Sequence, residues 1–412
     1  MRNAITTFRV FLPFAAGYFL SYFYRVVNAV IAPDLLADIG IGPSALGLLT
    51  AVYFIAFASF QLPLAILLDR FGPRRIEAAL LLIAGLGAAL FARAESLTGL
   101  VIGRAFIGFG VSSCLMAAFK AYTLWFPREK WPMINGFQMA AGGLGALAAT
   151  SPVENALHFT DWRGVFLLLA GATIVAAVLV FTVVPERQTS PAKESFHTQM
   201  RGVKTVFTSP VFWRTAPLTI MSQAAFLSIQ GLWSGPWLQN VAGLPRHEVA
   251  DTLFWVAVAM ISGFICLGTL VERFNRMGIG VTTVAVCGMG LFMMVQFLLI
   301  MVPVDFGLTL PLWLAFGFLG TSGIIAYSAL PQSFAPTLSG RVTTAINLLV
   351  FITAFAGQWA IGAILSLWPA GREGELADAG FRAGFGMMLA LQIIALIHFL
   401  TAGGKTNKIA ED

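Results

Sequence analysis

The stretch LLDRFGPRR, from Leu67 to Arg75, decides the fold of this chain. It follows the second of about twelve apolar segments, and it gathers one acid and three arginines in a chain where charged residues make up only 11%. Gly72 and Pro73 lie at its centre, and a glycine followed by a proline favours the end of one helix and the start of the next. The stretch therefore predicts a short, positively charged loop that connects two apolar helices.

The composition excludes an ordinary soluble protein. Hydrophobic residues make up 58% of the chain, whereas soluble domains contain about 45–50% hydrophobic and about 25% charged residues. A segment that crosses a bilayer must satisfy its own backbone hydrogen bonds, so it forms a helix of about 20 apolar residues. The sequence therefore predicts an all-α membrane protein surrounded by a lipid bilayer. The twelve predicted transmembrane helices cover residues 10–33, 46–68, 76–94, 99–122, 133–157, 163–184, 213–238, 252–271, 280–302, 308–331, 342–366 and 382–401.

The predicted helices form two similar halves. The longest polar stretch begins at residue 185, and we assign residues 185–212 to a cytoplasmic linker. It separates an N-terminal bundle, 1–184, from a C-terminal bundle, 213–412, which ends in a short cytoplasmic tail. LVERFNRMG, from Leu270 to Gly278, repeats the charged loop after the eighth predicted helix. Repeats of this kind place a substrate site between the halves, near the middle of the bilayer.

The distribution of charge predicts the orientation in the membrane. Lysine and arginine are concentrated in the loops on the side of the N-terminus. The positive-inside rule therefore places both termini in the cytoplasm. The hydrophilic tails and loops are short, which indicates a bacterial inner (plasma) membrane protein. The net charge of +6 reflects this topology, and we expect no nucleic-acid partner.

Two motifs carry a resemblance to a known family. The first, around the charged loop, consists of Gly47, Asp69, Arg70, Gly72, Arg74 and Arg75. The second is GRAFIGFG, residues 103–110, in the fourth helix, where Arg104 and the last two glycines match an RxxxGxG element. In these motifs the chain resembles the major facilitator superfamily of secondary transporters. The resemblance implies a monomer of two pseudo-symmetric six-helix bundles that alternate access to the two sides of the membrane, with the first motif acting as a conformational latch.

The first helix carries a narrower resemblance. YFLSYFYRVVNAVIAP, from Tyr18 to Pro33, is similar to the first helix of organic-anion and organophosphate members, in which an aromatic-rich stretch ends in an arginine. Phosphate-ester exchangers carry a further arginine in the seventh helix, and this chain has no matching one. The resemblance therefore implies an organic anion, and the absence of this second arginine argues against a phosphate ester.

Arg25 is the main candidate for binding the substrate. It lies about 15 residues into the first helix, which is roughly 22 Å at 1.5 Å per residue. A charge at that depth is costly and marks a functional site by default. Its guanidinium group suits a carboxylate, which it can bind through two parallel hydrogen bonds. Tyr18 and Tyr22 share its helix face and are predicted to bind the substrate with it. The alternative is that backbone carbonyls or an acid hold Arg25 in a structural role.

Glu154, Arg104 and His158 are the candidates for proton coupling. Glu154 lies in the outer part of the fifth helix, His158 follows one turn later, and Arg104 lies at a similar depth in the fourth helix. A buried carboxyl group beside an arginine can exchange a proton, although a structural ion pair is the alternative. Lys120 lies about 160° around the fourth helix from Arg104. It either faces the cavity or extends to the inner membrane surface.

The second half supplies neutral polar residues. Gln223, Gln230 and Trp233 lie on one stripe of the seventh helix, which indicates that they line a cavity. Hydrogen bonding between helices is the alternative for such residues. The other substrate-binding candidates in this half are Tyr327, Asn347 and Gln358.

The charges within the predicted helices favour one class of transporter. Arg25, Arg104 and Lys120 outnumber Glu154, the main acid there, so the cavity should attract anions. We therefore expect a secondary transporter, a proton symporter that takes up a small organic anion. A proton-coupled multidrug or metabolite efflux pump is the main alternative, and a non-transporting receptor on the same fold is a third. No nucleophile–base set, metal-ligand spacing or phosphate-binding glycine loop is present in the sequence, so we expect no enzyme activity, cofactor or metal site.

Overall fold

The computed structural model describes residues 2–127, 131–186, 196–301, 306–335, 338–368 and 377–402. In these ranges every regular element is a helix. The chain divides into two compact units. Unit 1 consists of Met1–Lys193 and Pro245–Phe254, and unit 2 consists of Glu194–Leu244 and Trp255–Asp412.

Unit 1 is a bundle in which charge-poor helices pack closely on each other. Its helices are α1 (Arg2–Val26), α2 (Asn28–Ile39), α3 (Pro43–Ser59), α4 (Gln61–Phe71), α5 (Pro73–Arg93), α6 (Leu97–Gly110), α7 (Cys114–Trp125), α8 (Trp131–Ala148), α9 (Ser151–Ala156) and α10 (Trp162–Val183). α5 packs against α6 and α10, α3 packs against α6, and α1 packs against α8. These contacts join α1, α3, α5, α6, α8 and α10, since α1 also packs against α10.

The glycines of GRAFIGFG explain how α6 approaches its neighbours. A methyl group at Gly108 would overlap the backbone of Tyr53 in α3, and one at Gly110 would overlap the backbone of Leu80 and Ala84 in α5. Small residues at helix contacts allow this kind of close approach in membranes. The motif therefore fixes the two helices that surround Arg104.

The first predicted span is broken just after Arg25. α1 ends at Val26, α2 begins at Asn28, and the axes of the two pieces differ by 48°. Non-helical breaks at membrane depth are tolerated where protein or a cavity surrounds them. The break points to a site within the first span.

Unit 2 contains the remaining helices. They are α11 (Phe196–Phe207), α12 (Pro210–Ser228), α13 (Ser234–Asn240), α14 (Arg246–Arg276), α15 (Val281–Met301), α16 (Phe306–Gly320), α17 (Gly323–Ala329), α18 (Ser339–Leu365) and α19 (Asp378–Thr401). A π-helical turn, Ile229–Trp233, joins α12 to α13, and a 3₁₀ turn, Leu330–Ser333, follows α17. α12 packs against α18 and α19 at the centre of the unit. The first turns of α14, up to Phe254, belong to unit 1.

The predicted membrane helices are confirmed as helical. Among the described residues, eight helical stretches are long and apolar enough to cross a membrane, and the bent pair α1–α2 makes a ninth. Each of the other three predicted spans is divided into two shorter helices, which are the pairs α3–α4, α8–α9 and α12–α13. Such interruptions leave no pattern in hydropathy, because both pieces remain apolar.

Candidate functional site

Arg25 lies in an aromatic setting at the end of α1. It is 7% exposed, and its Cζ atom is 4.4 Å from the centre of the Tyr22 ring and 5.7 Å from that of Phe57. The Tyr18 and Tyr22 rings are edge to face, with 5.2 Å between their centres. Both rings pack on Gly142 of α8, where a methyl group would overlap them. The structure thus brings the three predicted binding residues of the first helix together, and cation–π contact is strongest in a dry setting of this kind.

A second buried cation, Arg104, lies in the same unit. It is 1% exposed, and its Cζ atom is 5.0 Å from the centre of the Tyr53 ring. Tyr53 also interacts electrostatically with Arg25, and its hydroxyl group donates to the carbonyl oxygen of Ser21 at 3.0 Å. Two guanidinium groups therefore face one tyrosine of α3. Nε and one terminal nitrogen of Arg104 have no hydrogen-bond partner among the described residues.

A third buried polar side chain, that of Asn28, lies at the break in the first span. Its side chain is fully buried, and neither its amide nitrogen nor its oxygen has a hydrogen-bond partner in the described part of the chain. Buried polar groups are nearly always paired, and leaving one unpaired costs about 1–3 kcal/mol. Asn28 lies three residues after Arg25. We name Arg25, Asn28, Tyr53 and Arg104 the arginine cluster.

The arginine cluster has the chemistry of an anion site. Its free N–H groups belong to a guanidinium and an amide, and both bind carboxylate or sulfonate oxygens. Arg104 forms no ion pair with any described residue. An anion that enters the cluster would offset the cost of burying its charges.

The predicted pair between Arg104 and Glu154 does not form. Glu154 instead accepts a hydrogen bond from Nε of Arg246 at 2.7 Å, and the terminal nitrogens of Arg246 donate to the two oxygens of Asp34 at 2.8 and 2.5 Å. Arg246 lies in the first turn of α14, six residues before the predicted start of that span. His158 is exposed. We call Asp34, Glu154 and Arg246 the outer triad.

The charged loop contacts the end of α10. Gly72 adopts a positive φ of 80°, which glycine tolerates. Arg74 donates to the carbonyl oxygen of Phe181 at 2.7 Å, and both Arg74 and Arg75 form ion pairs with Glu186. A cavity of about 570 Å³ is lined by Gly72, Arg74, Arg75 and Glu186, among other residues. Glu186 is thus an acid partner of these arginines that lies outside the predicted motif.

The other latch residues have more varied settings. Arg70 is exposed, with its Cζ atom 5.2 Å from the centre of the Phe71 ring, and Gly47 is buried in α3. The side chain of Asp69 lies outside the described residues. Lys120 is half-buried in the last turns of α7.

The polar stripe of unit 2 joins helices to each other. The amide of Gln223 donates to the carbonyl oxygen of Gly320 at 2.9 Å, and Nε1 of Trp233 donates to that of Gln358 at 2.9 Å. Both are hydrogen bonds between helices, which is the role that the sequence left open for these residues as the alternative to lining a cavity. The π-helical turn adds a residue to the helix here, so the regular spacing of the stripe is lost.

The remaining substrate-binding candidates of unit 2 are Gln230, Asn347 and Tyr327. Gln230 is buried, and its amide nitrogen is 4.0 Å from the sulfur of Met260. Asn347 is half-buried. The side chain of Tyr327 lies outside the described residues.

Comparison with known families identifies the chain. The sequence profile of the Major Facilitator Superfamily matches residues 14–358. The chain belongs to this superfamily. The resemblance of its two motifs to the superfamily is therefore confirmed, and the chain is a multi-pass membrane protein of this type.

Several curated members of the superfamily are similar to the chain. It is 28% identical over 157 residues to a probable sulfoacetate transporter of Cupriavidus necator. This matched region covers 38% of the chain and 36% of that protein. It is 26% identical over 162 residues to a galacturonate transporter of Dickeya chrysanthemi, covering 39% and 47%. It is also 26% identical over 189 residues to a quinolone resistance transporter of Acinetobacter baumannii, covering 44% and 43%. The matched regions thus span about a third to a half of these relatives.

A solved structure of the superfamily supports the fold over the whole chain. It is a bacterial homologue of the human lysosomal transporter Spinster, with a TM-score of 0.79 and 16% identity over 97% of both chains. At that identity the likeness concerns the fold alone.

Three buried residues of this superfamily member escaped the sequence reasoning. Asn28 and Tyr53 lie in predicted helices, but neither is charged, so nothing drew attention to them. Glu77 is fully buried in α5 and is the second residue of the third predicted span, 76–94. For Asn28, the sequence offered one indication: it lies three residues after Arg25, which is about one helical turn.

Proposed function

We propose that this protein is a secondary transporter that moves a small organic anion by alternating access. The arginine cluster carries the proposal, because it gathers two buried guanidinium groups and an unpaired amide in unit 1. The substrates of the sulfoacetate and galacturonate transporters are both small organic acids, which supports an anionic substrate.

In this proposal Arg25 binds the acidic group of the substrate. The guanidinium of Arg25 is held against Tyr22 and Phe57 at the end of α1, so little side-chain freedom is lost on binding. Arg104 supplies further N–H donors from α6, and Asn28 supplies an amide from the start of α2. Tyr18 and the polar residues of unit 2 (Gln223, Gln230, Trp233, Tyr327, Asn347 and Gln358) complete the proposed binding set.

The proposal extends to coupling and topology. A proton is the proposed coupling ion, taken up with the anion, and Glu154, His158 and Arg104 remain candidates for carrying it. The location of lysine and arginine supports a bacterial inner membrane protein with both termini in the cytoplasm. We also propose that the protein works as a monomer, with an N-terminal bundle, 1–184, a cytoplasmic linker, 185–212, and a C-terminal bundle, 213–412. The charged loop acts as its latch, with exposed ion pairs that are weak enough to break reversibly.

Uptake into proteoliposomes tests the proposal. The wild-type protein should take up sulfoacetate or galacturonate when the outside is more acidic than the inside. Arg25→Gln should abolish this uptake, because it removes the charge and the paired N–H donors. Arg93→Gln is the matched control, since Arg93 is exposed at the far end of α5. Uptake by Arg25→Gln at the wild-type rate would refute the proposal, and expulsion of lipophilic cations without anion uptake would favour the efflux alternative.

A further inference from the structure

Glu77 is a buried acid to which the proposed site gives no role. It lies in the second turn of α5, its side chain is fully buried, and neither carboxyl oxygen has a hydrogen-bond partner among the described residues. The acids of the outer triad and Glu186 differ from it, because arginine binds each of them. Glu77 therefore has an environment unlike that of these other acids.

Such an environment suits a carboxyl group that carries a proton. A bare carboxylate in a dry setting loses its hydration and gains nothing in return, whereas a neutral carboxylic acid loses far less. An ionisable residue within a membrane helix is also a functional candidate by default.

The helices around Glu77 leave room for its side chain. α1 presents Gly17 to it, and a methyl group at Gly17 would overlap Oε1 of Glu77. The acid therefore occupies the space that the glycine leaves on α1. This contact joins α5 to the helix that carries Arg25.

α7 carries two titratable groups that interact with Glu77. Cys114 and Tyr122 of this helix interact electrostatically with the carboxyl group, and Lys120 is half-buried on the same helix. The hydroxyl group of Tyr122 donates to Oε1 of Gln138 at 2.7 Å, so it is already engaged.

The arginines of the other neighbouring elements are engaged elsewhere. Arg74 and Arg75, in the first turn of α5, pair with Glu186 beyond α10. Arg70 of α4 is exposed, and Arg104 of α6 lies over the Tyr53 ring. None of these forms an ion pair with Glu77 in the described part of the chain.

Glu77 also lies near the arginine cluster, because it contacts Gly17, which is about two turns before Arg25 on α1. The thiol of Cys114 interacts electrostatically with both Glu77 and Arg25. A negative charge on Glu77 would therefore oppose part of the attraction that Arg25 exerts on an anion. A proton on Glu77 would remove that opposition and favour binding of the anion together with the proton.

We propose that Glu77 is a proton-binding site of this transporter. Its carboxylate oxygen takes one proton from water on one side of the membrane, and the neutral acid remains in the dry space between α1, α5 and α7. The proton leaves when water reaches the carboxyl group on the other side. The binding of the proton stands on its own, whereas its coupling to an anion rests on the proposed function.

Infrared spectroscopy of the full-length protein in lipid vesicles tests the proton directly. At neutral pH the wild type should show a carbonyl band of a protonated carboxylic acid, and Glu77→Gln should lose it. Glu95→Gln is the matched control, because Glu95 is exposed just beyond the end of α5, and it should keep the band. A band that survives in Glu77→Gln overturns the proposal. Glutamine has the shape of the neutral acid, so failure of Glu77→Gln to fold would also overturn it.

Transport assays with sulfoacetate and galacturonate as probes test the coupling. Glu77→Gln should retain exchange of the probe across the membrane but lose accumulation driven by a pH gradient. Accumulation at the wild-type level in Glu77→Gln would overturn the coupling. If the wild type transports neither probe, the proposed function fails, and the infrared band still decides whether Glu77 holds a proton.

Discussion

Removing the arginine of the outer triad should destabilise the protein, and removing Glu154 as well should restore part of the loss. Arg246 donates three hydrogen bonds to Glu154 and Asp34. The side chain of Glu154 is 9% exposed, whereas Asp34 and Arg246 are 28% and 35% exposed. In Arg246→Met, water can therefore solvate Asp34, but the carboxylate of Glu154 stays buried without its partner.

The expected loss of stability in Arg246→Met follows from this difference in burial. A buried charged group that loses its hydrogen-bond partner costs about 3 kcal/mol or more, and partial exposure of the arginine reduces this to roughly 2 kcal/mol here. Glu154→Leu removes the stranded charge, so the double variant should be more stable than Arg246→Met alone. The predicted coupling energy between the two sites is about 2 kcal/mol.

The assay is thermal unfolding of the purified single and double variants in detergent. The matched control is Arg163→Met, which breaks the ion pair with Asp38 near the start of α10. Since both partners there are more open to water than Glu154, Arg163→Met should shift the unfolding midpoint less than Arg246→Met does. Strictly additive effects of Arg246→Met and Glu154→Leu would refute the reasoning.

Two further predictions concern helix packing. Gly108→Ala should lower the midpoint of thermal unfolding, because the added methyl group overlaps the Tyr53 backbone at a cost of about 1–3 kcal/mol. Gly171→Ala is the control, because Gly171 has open space around it and its midpoint should not fall. Equal midpoints for the two variants would contradict the close approach of α3 and α6. Trp233→Phe should cost about 1 kcal/mol through its lost hydrogen bond to Gln358, besides any loss of packing, and an unchanged midpoint would show that this bond contributes nothing.

Hydropathy and local motifs were sufficient for the fold. Each spanning segment must be helical because the bilayer offers no other partner for its backbone, so the twelve stretches could be predicted one at a time. Gly108 and Gly110 belong to the second of the two motifs that carried the family resemblance, and in the structure they are contact points of α6. Arg25 could be identified because a charge so deep in an apolar segment is rare.

The partners of the charged residues could not be predicted in the same way. Arg246 was counted as a loop residue, because nothing in its own segment shows that its helix begins against α2 and α9. Glu154 was assigned to Arg104 on depth alone, and depth says nothing about which helix face a residue occupies. Glu77 stands only two residues after the arginines of the loop, so its position in the sequence suggests a partner for them, but its side chain is buried and the arginines pair with Glu186 instead.

The claim that the arginine cluster binds an organic anion is tested most directly by ligand-induced thermal stabilisation. The purified protein should be stabilised by sulfoacetate or galacturonate, by about 2.7 kcal/mol at 100 times the dissociation constant. Arg25→Gln should lose this stabilisation, and Lys120→Gln, which changes a cation outside the cluster, should keep it. Equal stabilisation of Arg25→Gln and wild type, or stabilisation by tetraphenylphosphonium with no response to either anion, would contradict the account.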